Sequence, residues 1–213
     1  MSFFKKLFGG KDEPAPRQLN HPSALNQGDM IVLDDSFALP PQLRGQQLKV
    51  EAVHCYEYKH QRSPEWLLRG SGTHLIFLGV ENDDQEYLTL SIKLTRAEVE
   101  SLFDMEAFAD VFEEDVRAEL QPESSDPELS GWFAGHYRKT DHADFGYFHR
   151  QDYRQSPPPQ DSNLNHGEAF EGYQLVNDED THAIDIEVYE NGETDVLLTL
   201  YRPVSDIREY WPS

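Results

Sequence analysis

Residues 183–201, AIDIEVYENGETDVLLTLY, decide the fold class. Ile184, Ile186 and Val188 alternate with Asp185, Glu187 and Tyr189, and Val196, Leu198 and Leu200 resume the alternation beyond Glu190-Asn191-Gly192. A period of two sends one strand face to an apolar core and the other toward water. The turn sets the register. A two-residue turn at Asn191-Gly192 would put Val188 opposite Asp195 and split the apolar faces, because a slip of one residue inverts every side chain. A three-residue loop, with Gly192 in the left-handed conformation, pairs Val188 with Thr194, Ile186 with Val196 and Ile184 with Leu198. That register is the expectation.

The same pattern occurs earlier. Thr73-His74 recurs as Thr181-His182, 108 residues on, and without a gap Ile76 matches Ile184, Val80 matches Val188 and Leu90 matches Leu198. Val99 and Phe103 fall on Ile207 and Trp211, so the match runs through both strands into the segment beyond them. This spacing reads as an internal duplication, residues 73–103 repeated at 181–211. The expected fold is α+β and predominantly antiparallel β, with two tandem related β-meander halves, each closed by a short helix. The halves would cover residues 25–120 and 131–213. Residues 121–130, QPESSDPELS, read as the linker, and residues 1–24 as a basic tail with a proline-containing tether.

Within the first half, Met30 to Leu33, Leu48 to Tyr58, Trp66 to Leu68, His74 to Glu81 and Glu86 to Leu94 read as consecutive strands with close turns. Thr95-Arg96-Ala97-Glu98 is a capping box and starts a helix that buries Val99, Leu102 and Phe103. Phe108, Val111, Phe112, Val116 and Leu120 predict a longer second helix. Ser205 would cap the closing helix, with Ile207, Tyr210 and Trp211 on one side.

The net charge of −22 across 213 residues argues against a nucleic-acid partner, whose phosphates would be repelled. It favours a basic protein partner or a solvated acidic surface. The single cysteine, Cys55, excludes an internal disulfide and a thiolate cluster and reads as a buried, inert thiol. With no apolar run of membrane-spanning length, the expectation is a cytoplasmic protein.

Two stretches could carry a site. Phe3, Phe4, Leu7 and Phe8 fall on one side of a short helix with Lys5 and Lys6 off it, the one basic island in an acidic chain. This tail could insert at a membrane surface, dock in a partner's groove or fold back on its own domain. The other stretch holds His136, Asp141, His142, Asp144 and His149 within fourteen positions, chemistry suited to zinc if a hairpin brings them together. Its spacing matches no ligand pattern, and Asp141-His142-Ala143-Asp144 reads first as a turn. Motifs for a nucleophilic serine, a phosphate-cradling glycine loop and a zinc protease are lacking, and no cofactor is expected.

Ile186-Glu187-Val188-Tyr189, Gly192-Glu193-Thr194 and the ending from Ile207 to Trp211-Pro212, with Trp132 and Gly167-Glu168, resemble the YjfK-like family of bacterial proteins. The resemblance brings no catalytic residues. It implies a bacterial cytoplasmic protein whose relatives are associated with genes for a phage-shock-type, membrane-associated protein. The functional expectation is a non-enzymatic interaction or adaptor protein at the inner membrane face in an envelope-stress setting. The alternatives are a metal-binding protein or metal-dependent enzyme using residues 136–149, and an acidic regulator that captures a basic protein.

Overall fold

The structure, a computed structural model, describes residues 17–59, 61–124, 126–140, 144–161 and 166–213. Its strands are β1 (Met30–Leu33), β2 (Gln47–Tyr58), β3 (Arg62–Arg69), β4 (Ile76–Asn82), β5 (Glu86–Leu94), β6 (Glu119–Leu120), β7 (Tyr137–Lys139), β8 (Asp144–His149), β9 (Glu168–Val176), β10 (His182–Tyr189), β11 (Thr194–Pro203) and β12 (Ile207–Trp211). They form one sheet in the order β12-β1-β2-β3-β4-β5-β11-β10-β9-β7-β6, and β8 bridges β2 and β9. That bridge closes eight strands, β2-β3-β4-β5-β11-β10-β9-β8, into a barrel. Closure removes the unpaired edges that an open sheet would leave on β2 and β9.

The hairpin that decides the fold has the expected register, with Val188 opposite Thr194, Ile186 opposite Val196 and Ile184 opposite Leu198. Gly192 has φ +84°, and its N–H donates to the Tyr189 carbonyl at 2.9 Å, closing the three-residue loop. The earlier hairpin, β4–β5, lies beside it. β5 pairs with β11 so that Ser91 faces Thr199, Leu90 faces Leu200 and Ile92 faces Leu198. The Ser91 and Thr199 hydroxyls, 108 residues apart in the chain, are 2.8 Å apart in space.

The two faces of the barrel wall differ in chemistry. Outward are Trp66, Leu68, Leu78, Leu88, Leu90, Ile184, Ile186 and Leu198, buried in one apolar core beneath a covering layer. That layer comprises α1 (Arg96–Leu102), α2 (Met105–Ala109), short 3-10 turns and buried loop residues such as Leu25, Leu39, Leu43 and Trp132. Trp66 is anchored to it by a hydrogen bond from its indole N–H to the Leu25 carbonyl at 3.0 Å. Fully burying each large apolar side chain contributes about 2 kcal/mol. Inward are Tyr56, Glu65, Asp185, Glu187 and Tyr189. The Tyr56 hydroxyl on β2 faces the Glu187 carboxyl on β10, although two strands separate them one way round the barrel and four the other. Only the interior connects them.

Several expectations are corrected. The sheet is single and closed and takes strands from residues 25–120 and from residues 131–213, and its apolar core includes Leu129, fully buried within residues 121–130. No helix closes the second hairpin. Residues Val204–Asp206 make a 3-10 turn with no side-chain cap from Ser205, and β12 then pairs with β1, Met30 opposite Trp211 and Leu33 opposite Ile207. Five residues make too short a helix to persist, whereas the open edge of β1 offers a ladder of unpaired backbone groups. The capping box is present, Thr95 accepting from Glu98 N–H and Glu98 reaching back. The longer second helix is not. Asp104 caps α2, which ends after five residues in a 3-10 turn, Asp110–Phe112. Leu120 instead enters β6, where it pairs with Tyr137 of β7.

Candidate functional site

Residues 3–8, expected to dock a partner or membrane, lie outside the described residues, as do Asp141 and His142. The remaining proposed metal ligands do not converge. β7 and β8 do not form a hairpin; both lie along the same edge of β9, Arg138 opposite Val176 and Phe148 opposite Glu168. Those anchor points stand roughly 26 Å apart at about 3.3 Å per residue, and His136 and His149 lie beyond them at opposite ends. His136 Nε2 is 3.3 Å from Glu119 Oε2, and buried His149 Nε2 is 3.1 Å from Glu57 Oε2, while Asp144 is exposed. Among the described residues no group of three His, Cys, Asp or Glu could hold a metal ion. Cys55 is buried as expected, and that burial pushes its thiol up, toward the protonated form.

The barrel interior holds a cluster of acids and tyrosines. The Tyr189 hydroxyl donates to Glu187 Oε2 at 2.6 Å. Asp185 accepts from Thr199 Oγ1 at 2.6 Å and from Gln174 Nε2 at 2.8 Å, and Thr199 in turn meets Ser91. Glu65 lies 3.4 Å from His54 Nδ1. Burial raises all three carboxyls. Glu187 is pushed up to about 7, mainly by burial, with Tyr189 holding it back and the Glu65 charge adding to the rise. Asp185 and Glu65 move in the same direction, restrained by Thr199 and Gln174 and by His54. Among the described residues, no lysine or arginine ion pair reaches any of the three, so proximity and low polarity favour their neutral forms.

Above this cluster sits an aromatic layer of Tyr56, Tyr58, Phe148, Phe170 and Tyr189. Tyr56 and Tyr58 each meet the Phe170 ring edge-on, at 5.6 and 6.0 Å between centroids, across the intervening strand β8. Gly146 makes this approach possible. A Cβ there would sit 2.9 Å from the Glu57 carbonyl oxygen and 3.1 Å from the Phe170 ring.

Beside β8 runs a groove of about 820 Å³, lined by residues from both faces of the wall. The covering layer stops short of it, leaving Phe145 68% and Tyr147 50% exposed on adjacent outward positions. Phe170, Tyr58 and Tyr189 contribute to its lining, and Glu57, Glu171 and Glu190 bring carboxylates against a single lysine, Lys59. A second groove of about 730 Å³ continues from it, sharing Glu57, Tyr58 and Lys59 and ending at Tyr153 and Arg154. Its far wall is fixed: Arg154 donates to the Ser23 and Leu25 carbonyls at 3.0 and 2.7 Å, and Arg62 to the Tyr153 and Ser156 carbonyls at 2.6 and 2.8 Å.

The sequence reading missed the interior cluster for one reason. It assigned Asp185, Glu187 and Tyr189 to solvent because they alternate with core residues, whereas barrel closure turns that face onto another wall. The available signal was the tyrosines at such positions, Tyr56, Tyr58, Tyr189 and Tyr201, which a solvent-facing strand has no need to carry.

No family model, curated protein or solved structure matches this chain.

Proposed function

We propose that the protein is a non-enzymatic interaction protein that captures a basic, aromatic-bearing segment of a protein partner in the groove beside β8. The observation that carries this reading is the pair Phe145 and Tyr147, exposed side by side on a barrel wall whose outer surface is otherwise largely covered, with Glu57, Glu171 and Glu190 beside them. Exposed aromatics with charged neighbours are the composition of an anchor patch, where rings supply buried area and carboxylates select the partner's sign. The net charge of −22 would steer a basic partner toward the chain from a distance.

Two further features support it. The Cys55 thiol is held neutral, and His149 is committed to Glu57, so neither is placed as a nucleophile or a free base. On ancestry, we infer that the β4–β5 and β10–β11 hairpins descend from one tandemly copied unit; the 108-residue match and the meeting of Ser91 with Thr199 support that reading.

A photo-activatable amino acid at position 147, crosslinked in cells, tests the groove. The expected adducts are with a basic protein, disappear when Phe145→Ser is added, and are not formed by the same probe at Phe37, an exposed aromatic elsewhere on the chain. Identical adducts from positions 147 and 37 would contradict the proposal.

A further inference from the structure

The groove beside β8 has the complementary chemistry of one segment of this same chain. Residues 3–8, FFKKLF, combine four large apolar side chains with Lys5 and Lys6 in a chain that is otherwise strongly acidic. The groove offers Phe145 and Tyr147 for the rings and Glu57, Glu171 and Glu190 for the ammonium groups. Geography agrees with chemistry. The first described residue, Arg17, donates to the Ala24 carbonyl at 3.0 Å and pairs with Asp29. The same turn is gripped by Arg154 through Ser23, Leu25 and Asn26, and Arg154 walls the second groove, which runs into the first at Glu57 and Tyr58. Eight residues, 9–16, separate the apolar segment from Arg17, and extended they would span up to about 28 Å.

We propose that residues 3–8 occupy the β8 groove in cis and that a partner segment must displace them. The inference rests on the groove reading above and adds the resident occupant. Its consequence is competition for the groove. A tethered segment sees its site at an effective concentration near the millimolar range, so a free competitor binds more weakly for as long as the tether is engaged.

The test uses the whole chain and a labelled peptide of residues 2–11, SFFKKLFGGK, followed by fluorescence anisotropy. The tail variant carries Phe4→Ser and Phe8→Ser. The expected result is that the tail variant binds the peptide roughly tenfold or more tightly than the unaltered chain, and that Phe145→Ser abolishes the gain. Equal affinity for both chains, still lost with Phe145→Ser, would overturn cis occupancy while leaving the groove as a peptide site. Absence of binding to either chain would overturn the inference, and crosslinking at position 147 would then judge the groove separately. A chain that sediments as a dimer but becomes monomeric in the tail variant would put the segment in a second copy's groove and overturn docking in cis. Tail-dependent binding to anionic phospholipid vesicles that is indifferent to Phe145→Ser would assign the segment to a lipid surface and overturn docking in cis as well.

Discussion

Glu187→Gln should make the protein more stable than the unaltered chain at alkaline pH and leave it nearly unchanged in acid. The groups facing Glu187 are Tyr189 and Asp185 on its own strand, Tyr56 on β2 and Glu65 on β3, two of them acidic and none cationic. Its carboxyl titrates at about 7 in the fold against 4.5 for an unperturbed glutamate. The fold therefore holds a proton that the unfolded chain releases. Stability from this proton is complete below about pH 4.5 and is lost as pH rises through 7. At about 1.4 kcal/mol per pH unit, the loss amounts to about 3 kcal/mol. Glutamine keeps an oxygen to accept from Tyr189 but cannot ionise. The difference between variant and unaltered protein should thus rise from near zero at pH 4.5 to about 3 kcal/mol at pH 8. Comparing the two chains cancels the opposing contribution of His182, whose pKa burial lowers so that it favours the fold as pH rises. Urea unfolding at the two pH values measures the difference directly. A difference that does not change with pH, or a variant less stable at pH 8, would refute the account of an enclosed acidic interior.

Gly146→Ala should cost about 1–3 kcal/mol, since the new methyl meets the Glu57 carbonyl oxygen and the Phe170 ring at the seam that closes the barrel; an unchanged melting temperature would mean that β8 does not sit as described. Thr95→Ala removes the cap of α1 and should cost about 1 kcal/mol in the same assay, whereas Ser205→Ala, which loses no cap, should be neutral. Cys55 should resist an aromatic disulfide reagent in the native protein and react only on unfolding; rapid native labelling would contradict its burial.

What the sequence made legible was local. The hairpin register followed from Val188, Ile186 and Ile184 needing partners on one face, and Gly192 stood at the end of the loop, where the left-handed conformation is required. The capping box followed from Thr95 and Glu98 at the required spacing. The illegible parts depend on distant pairing. Nothing in residues 144–149 signals that this short strand joins β2 to β9, yet that choice converts a meander into a barrel and reverses the environment of Glu187 from water to protein. Ile207, Tyr210 and Trp211 have helical spacing, and only the presence of β1's edge makes them a strand. The metal expectation failed likewise, because proximity in sequence between His136 and His149 is undone when β7 and β8 line up end to end along β9.

The central claim is that the acidic, aromatic groove beside β8 selects a basic protein segment. The most direct measurement is crosslinking from position 147 in a chain where Glu57, Glu171 and Glu190 are all changed to Gln. The account predicts that the adducts fade with the carboxylates, although Phe145 and Tyr147 remain exposed. Adducts of undiminished yield would show that charge does not select the partner and would contradict it.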